Sequence, residues 1–514
     1  MCIVGAGAAG IALARELAGG RLSVALLESG GFEWDSETQA LYQGESAGHP
    51  YFPLTACRLR YFGGTTNHWA GYCRPLDAQD FEPRAWVPGS GWPISRVELD
   101  PYYRRAQSIL QLGPYRYDAA FWQALAPDPP LALEPEVLFS RVFQLSPPTR
   151  LGSAYRDEIV AAPGVNLILH ANLTGFELTP GGDRVLSARA ATLSGNELRV
   201  EAQIFVLATG GIENARLLLA SRSPAHPDGL GNRHDLVGRY FMEHPHLVAG
   251  FFVPSGAGSG TSFYAPQPSE RGRFSGVITA RDEVLERERI NRFSITLLPA
   301  KRKPDAYLEA ENSQGVVSLR HLVRRARQQR LPDDLAGHVW RVIRDLDDVA
   351  VAAYGRAAEI GSEDWMYQLF FRTEQTPNPA SRVTLSGEKD ALGVPRVRLD
   401  WQILEQDLRT IRRGHELFGL EVGRAGLGRL FFPDEDAEPT WIEDLFGGNH
   451  HMGTTRMHPD PRQGVVAADC RLHGVANLYV AGSSVFPTTG FANPTLTIVA
   501  LTLRLADRIR AVAR

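Results

Sequence analysis

The sequence predicts an α/β fold in which a dinucleotide-binding domain is joined to a region built on a sheet with one solvated or substrate-facing side. Three observations carry that reading. Strand, glycine-rich turn, helix, second strand and terminal acid follow one another between Cys2 and Glu28. A second buried strand, Ile204-Phe205-Val206-Leu207, runs into Gly210-Gly211 and then a helix. From about Phe241 to Phe446 the texture changes to alternating apolar and polar residues, as in Arg382-Val383-Thr384-Leu385 and in Val394 to Leu399.

In chain order, Cys2-Ile3-Val4 is a short strand, and Gly5-Ala6-Gly7-Ala8-Ala9-Gly10 opens a helix that runs to about Ala18. Gly5 and Gly7 allow a tight turn and close approach to a pyrophosphate, and Gly10 lets helix and strand pack. The strand Leu22 to Glu28 ends in an acid placed to take ribose hydroxyls. The shortness of the first strand predicts that a few native residues precede Met1. Next, Arg58 to Gly71 forms a glycine-rich turn leading to His68 and Trp69, a density that fits backbone passing close to a flat ring. A packed loop histidine is the plainer reading of His68. Asp80 to Pro93 reads as an irregular loop. Between Tyr155 and Glu201 a helix, the strand Val165 to Leu169 and a hairpin around Gly181-Gly182-Asp183 are expected.

The helix after Gly211 is expected to begin near Glu213, with Ala215, Leu218 and Leu219 on one face. Further helices are expected around Val339 to Ala358 and Glu405 to Leu417, and the basic run Arg324 to Arg330 reads as a solvated helix face. No internal repeat is visible.

The stretch Gly448 to Thr497 holds the densest chemistry. It contains Asn449-His450-His451, then Gly482-Ser483-Ser484, then Ala492-Asn493-Pro494-Thr495, after which Leu496, Val499, Ala500 and Leu503 fall at helical spacing. A helix starting near Pro494 presents unpaired N–H groups and partial positive charge to an anionic neighbour. Taken singly, Asn493 is a helix cap and His450 a loop histidine. Taken together they read as an amide donor and a proton acceptor converging on one oxygen.

Composition narrows the class. The 514 residues leave room for about three average domains or two larger interleaved ones. Lys plus Arg number 54 against 58 Asp plus Glu, so nothing asks for nucleic acid. Four scattered cysteines exclude a dense disulfide framework, a zinc ribbon and covalent haem, so a cytoplasmic location is expected and no metal. The chain opens on a structured motif, so no signal segment is expected within it, and no apolar run reaches transmembrane length. No membrane association is expected.

These motifs together resemble the glucose-methanol-choline (GMC) flavin oxidoreductases, nearest to the branch of pyranose and glycoside oxidases and sugar dehydrogenases. The residues that carry the likeness are Gly5-x-Gly7-x-x-Gly10 with Glu28, Gly63-Gly64-Thr65-Thr66-Asn67-His68-Trp69, Ala208-Thr209-Gly210-Gly211, Gly238-Arg239-Tyr240-Phe241-x-Glu243-His244-Pro245, and His450 to Thr497. The resemblance implies FAD and a Rossmann-like FAD-binding domain interleaved with an α+β substrate domain on an antiparallel sheet. The implied FAD-binding segments are 1–62, 155–240 and 447–514; the flavin-contact loop and substrate segments are 63–154 and 241–446. FAD contacts are expected from Gly5, Gly7, Ala8, Ala9, Gly10, Glu28 and Ser29. Further contacts are expected from Gly63, Gly64, Thr65, Asn67, His68, Trp69 and Ala70, from Ala208, Thr209, Gly210 and Asn214, and from Gly482, Ser483, Asn493, Pro494 and Thr495. Pyranose oxidases, which the chain resembles, attach FAD to the histidine of a Thr-His-Trp-Thr motif. Here His68 stands in Asn67-His68-Trp69-Ala70, so non-covalent FAD is expected.

The resemblance also implies catalysis by His450 as base, with Asn493 orienting the alcohol oxygen. His451 is expected to do supporting work beside the substrate. Polar and aromatic residues around Gln368 and Phe370, with Arg372, Glu374, Gln375 and Asn378, supply the mixture a sugar needs. The expected substrate is a sugar-like alcohol (pyranose, glycoside or aminoglycoside), with a choline- or sterol-like alcohol as the alternative. Electrons then pass to oxygen, a small acceptor or another protein. A nicotinamide dehydrogenase would share the glycine fingerprint but leaves Gly210-Gly211 and the C-terminal stretch without a role. A non-enzymatic FAD-binding protein would not need both His450 and Asn493.

Overall fold

In the computed structural model, which describes residues 1–147, 149–255, 260–300, 313–327, 332, 334–346, 349, 366–432 and 441–513, five short strands form one parallel sheet. Their order is Leu478–Val480, Phe205–Leu207, Cys2–Val4, Val24–Leu27 and Val165–Ile168. Ile3 pairs with Val206 on one side and Leu26 on the other. The central strands are apolar at every position, as a parallel sheet covered on both faces requires. The helix Ala8–Leu17 packs against the closing helix Thr495–Val512, which buries Leu496, Val499, Ala500 and Leu503. Arg504, Arg508 and Arg510 of that helix reach Glu98, Asp469 and Glu16.

A second, nine-stranded antiparallel sheet follows the path Gly428–Phe431, Pro245–Pro254, Met366–Thr373, Phe293–Ala300, Gly272–Ala280, Leu138–Leu145 and Tyr72–Cys73, with two short strands attached. The long helix Glu405–Arg424 lies on it, burying Ile411, Leu417, Phe418 and Val422. Each sheet has its own apolar core. The chain crosses between the two several times, so segments distant in sequence meet where the cores face one another.

The structure departs from the sequence reading in several places. The strands Arg382–Lys389 and Pro395–Trp401 do not join the large sheet; Pro395–Trp401 pairs parallel with Gly44–Gly48. Val383, Val397, Leu399 and Trp401 then bury into the core of the nucleotide side, although they lie inside 241–446. Alternation identified them as strands but carries no information about their partner. The helix after Gly210 begins at Gly211, two residues early, because Gly210 at φ 93° supplies the turn itself. The helix expected from Val339 spans Leu335–Arg344 with Asp345 as its C-cap, and most of the rest of that expectation lies outside the described residues. Likewise the helix Gln314–Arg327 takes in the start of the basic run, whose last three residues lie outside them. No helix of the described residues is long and apolar enough to cross a membrane.

Candidate active site

A cavity of about 470 Å³ runs between the two cores, and its nucleotide end is built by backbone. Gly5 sits at φ 98°, where an added Cβ would come 2.7 Å from the Ala208 carbonyl oxygen. At Gly10 the Cβ would stand 1.8 Å from the Gly5 oxygen, so Gly10 serves helix–strand packing and does not line the cavity. Gly7 is different. Its Cβ would meet nothing within 4 Å, because the space before it is the cavity. The helix Ala8–Leu17 has no side-chain cap and no acid in its first turn, and Ala8 and Ala9 line the cavity.

Glu28, expected to take ribose hydroxyls, lines the cavity with its carboxylate already engaged. One oxygen accepts from the Ala6 amide at 2.8 Å and the other from Gly30 at 2.9 Å. Each oxygen keeps a second lone pair. Burial pushes the carboxyl above its usual range. Ser29 also lines the cavity and donates to Asn172 at 3.0 Å. Arg58 and Arg60, given no role by sequence, line it too and pair with buried Glu213 at 3.4 and 3.1 Å.

Along the middle, Gly64, Thr65, His68, Trp69 and Ala70 line one wall, and Ala208, Thr209, Gly210, Gly482 and Ser483 line another. Gly63, Asn67 and Asn214 do not. Asn67 Nδ2 donates to the Phe62 carbonyl at 2.9 Å, and a Cβ on Gly63 would hit Asn67 Oδ1 at 2.5 Å, so these two hold the turn. Asn214 Oδ1 accepts from the Thr209 amide at 2.8 Å while its Nδ2 donates to Ser484 at 2.9 Å, tying two walls together. Burial lowers the basicity of His68, with Arg150 adding to the effect.

At the far end stand His450 and Asn493, where Asn493 Nδ2 lies 3.1 Å from His450 Nε2. Pro494 is the residue that precedes the closing helix, and that helix has no side-chain cap. The Asn493 amide is therefore free to face the histidine. Its Oδ1 is buried without a hydrogen-bond partner. Pro494 and Thr495 line the cavity beside it.

Protons along this chain of groups are assigned by its anchored end. His244 Nε2 lies 3.0 Å from the Gly490 carbonyl oxygen and 3.4 Å from that of Thr489, both acceptors only, so it carries the hydrogen. Burial, helped by Arg372, pulls the pKa of His244 down to about 3, so the ring is neutral and its Nδ1 accepts. His450 Nδ1, 2.8 Å away, must then donate. That leaves the Nε2 lone pair of His450 facing Asn493 and the cavity. Burial holds His450 well below its usual value, with His244 and His246 adding to the effect.

His451 has other work. Tyr51 donates to Glu243, and His451 Nε2 lies 2.9 Å from the Tyr51 oxygen, which it can reach only as donor. Glu243 also accepts from the amides of His450 at 2.8 Å and Gly448 at 3.1 Å. It therefore holds the backbone that aims His450. Gln368 and Phe370, expected at the substrate, do not line the cavity. Phe370 packs behind His246 at 4.8 Å between ring centroids. Glu374 is paired with Arg84, Gln375 with Trp401, and Asn378 with the Ala380 amide. Arg372 does reach the cavity, with His246 beside it. Sequence reasoning gave His244, His246 and Glu243 no role, although Glu243-His244-Pro245 stands among the motifs that carry the resemblance.

With this geometry in view, the family models match at both ends of the chain: residues 1–228 match "FAD dependent oxidoreductase" and residues 377–502 match "GMC oxidoreductase". The chain thus carries a GMC oxidoreductase C-terminal domain together with an FAD oxidoreductase domain. Among similar proteins is a 2-methyl-1,2-propanediol dehydrogenase of Mycolicibacterium austroafricanum, 25% identical over 99% of this chain and 94% of its own. A fructose dehydrogenase large subunit of Gluconobacter japonicus is 25% identical over 99% and 97%, and a paromamine 6'-oxidase of Streptomyces fradiae 26% over 99% and 90%.

The matching FAD-dependent domain makes FAD the cofactor, and the cavity fits it. Three helix N-termini, at Ala8, Gly211 and Thr495, open on one cavity without side-chain caps. Uncapped N–H groups are suited to phosphate and to carbonyl oxygen carrying negative charge. At Gly7, Gly210 and Gly482 an added Cβ would project into open space that a flat or extended ligand can fill.

Proposed function

We propose that this FAD enzyme oxidises a primary or secondary alcohol of a sugar or sugar-like molecule to the carbonyl, with His450 as base and Asn493 as its partner. The observation that carries the mechanism is the proton chain from Gly490 through His244 to His450, which leaves the His450 Nε2 lone pair at the cavity. FAD held by the glycine turn at Gly5 to Ala9 and the helix start at Thr495 would supply the acceptor for the hydride from the carbinol carbon. His450 Nε2 takes the hydroxyl proton, and the resulting imidazolium keeps its Nδ1–H donated to His244. Asn493 Nδ2 donates to the reacting oxygen, while its unpartnered Oδ1 is available to a neighbouring hydroxyl. Glu243 and Tyr51 hold His450 and His451 in place.

A sugar is supported by the polar wall around the reacting end, formed by Tyr72, His246, Arg372, His450 and Asn493. The fructose- and paromamine-oxidising relatives point the same way. A choline-like cation would face the Arg372 guanidinium, and a sterol would strand these polar groups without water. A small diol is the second reading, favoured by the 2-methyl-1,2-propanediol relative. For FAD we propose non-covalent binding beside His68. The buried, unpaired cysteines Cys2, Cys57, Cys73 and Cys470 support a cytoplasmic setting.

The test is anaerobic bleaching of the flavin by a panel of monosaccharides, glycosides, aminoglycosides, diols, choline and sterols. Sugar-like compounds are expected to give the highest specificity constants. If only simple diols or choline bleach it, the sugar assignment is wrong. Readmitting oxygen and timing the return of colour then separates oxygen from another acceptor.

A further inference from the structure

Most deeply buried arginines of this protein have a carboxylate. Arg58, Arg60 and Arg216 share Glu213, Arg84 pairs with Glu374, and Arg292 pairs with Asp80. Arg372 has none among the described residues. It lies in the strand Met366–Thr373, 7% exposed, and its Nε donates to His246 Nε2 at 3.3 Å. Its guanidinium carbon stands 5.3 Å from the centroid of Phe143 and 5.6 Å from that of Phe370. The two terminal nitrogens find no acceptor among the described residues, and the residue lines the cavity. Arg456, also without a carboxylate, at least donates to the Gly89 carbonyl.

Burying an unpaired guanidinium is costly, because its lost hydration is not replaced. The neighbours make no repayment. His244, His246 and His450 are neutral, and the Arg372 charge contributes to keeping them so. Burial lowers Arg372 to about 10, which still leaves it charged at neutral pH. Tyr72 stands close enough to act electrostatically on Arg372 and lines the same cavity, and its hydroxyl carries no hydrogen bond among the described residues. A planar fork with free donors, beside a free phenol, matches the geometry of a carboxylate or phosphate.

We infer that Arg372 and Tyr72 form a subsite for an anionic group carried by the substrate, so that the preferred alcohol is an acidic sugar or hydroxy acid. This rests on reading the cavity as an alcohol-oxidising site. The anion would sit beyond His246, whose ring lies 6.0 Å from that of His450, and so would be held apart from the oxidised carbon on the same molecule. The alternative role for Arg372 is to stabilise alkoxide at the reacting oxygen, which would act on every substrate alike.

Two measurements on the FAD-loaded enzyme decide it. In the first, acetate and inorganic phosphate are titrated while the flavin spectrum is followed. Saturable binding is expected, weakened about tenfold or more in Arg372→Gln and less in Tyr72→Phe. In the second, anaerobic reduction is compared for glucose, gluconate, glucuronate and glucose 6-phosphate. One anionic member is expected to exceed glucose in kcat/KM by about tenfold or more, and its identity separates carboxylate from phosphate. In Arg372→Gln that ratio should collapse, chiefly through KM, with Arg372→Lys retaining part of it. Wild-type enzyme that binds neither anion overturns the subsite, as does an Arg372→Gln loss of kcat equal for neutral and anionic sugars. Saturable, Arg372-dependent anion binding together with no reduction by any sugar-like compound would instead sink the sugar reading and leave the subsite standing.

Discussion

The decisive contacts of the reacting centre are single hydrogen bonds, so its tests are single substitutions. His450→Ala should retain FAD and lower the rate of flavin reduction by about 100-fold or more, since a base acts on the chemical step. Asn493→Ala should cost about 10- to 100-fold in the same stopped-flow measurement. His451→Ala should be milder, because that ring donates to Tyr51. A dead His451→Ala beside a nearly normal His450→Ala would move the base to the other ring. The low basicity of His450 gives a pH prediction with a definite sign. If it is the base we propose, its neutral form is the active one, and its pKa lies well below the usual 6.5, so kcat/KM should stay flat above pH 6.5 and fall only at more acid pH. His244 acts through His450 and is a positioning residue. Replacing it with alanine removes both the acceptor on His450 Nδ1 and one cause of the lowered pKa. The rate should drop about tenfold at unchanged FAD content in the same stopped-flow measurement; an unchanged rate would leave His244 with no part in orienting His450.

Among the elements, the glycine turn separates binding from folding. Gly7 has φ −84°, a conformation open to any residue, and its Cβ would enter only the cavity. Gly7→Ala should therefore melt like the wild-type apoprotein yet bind FAD more weakly by fluorescence titration. Gly10→Ala would drive a methyl into the Gly5 carbonyl and should fail to accumulate as folded protein. The helix Gly211–Ala220 is tied to the loop at Arg58 and Arg60 through Glu213. Burial raises that carboxyl, but Arg216, Arg60 and Arg58 outweigh it and hold it at about 2. The folded pKa is thus below the ordinary 4.5, so the contribution is present above pH 4.5 and lost as pH falls through 2. It amounts to roughly 3 kcal/mol. Glu213→Gln should lose about 3–5 kcal/mol at neutral pH, by leaving buried guanidinium groups unpaired, and show a shallower decline of urea stability below pH 4.5.

For the whole molecule, two cores with the cavity between them mean that ligand and fold are thermodynamically linked. FAD bound by both walls should raise the melting temperature, and deflavination should lower it reversibly. Acid precipitation should leave a colourless pellet, since His68 lacks the flanking threonines seen where FAD is covalently attached; a yellow pellet would show a covalent bond.

How far the sequence reached follows from the range of the forces involved. Sequence alone determined the opening elements from Cys2 to Glu28, because a glycine turn and the strands and helix that flank it are set by short-range sterics within a few residues, whereas the strand Leu478–Val480 of the same sheet carries no such local mark. Residue chemistry, and then the resemblance, singled out His450 and Asn493 within one stretch. Tertiary structure decided what those residues face. His244, just before the strand Pro245–Pro254, and Arg372, in the strand Met366–Thr373, enter the site only because the large antiparallel sheet is assembled, and Pro245–Pro254 is buried with no clear alternation to mark it. The same distance effect sent Pro395–Trp401 to Gly44–Gly48, away from the large sheet. It also put Gln368 and Phe370 behind the wall while Arg372 of the same strand reached the cavity. Pairing partners and facing directions are selected by burial across the whole chain, a quantity that no local stretch of residues encodes.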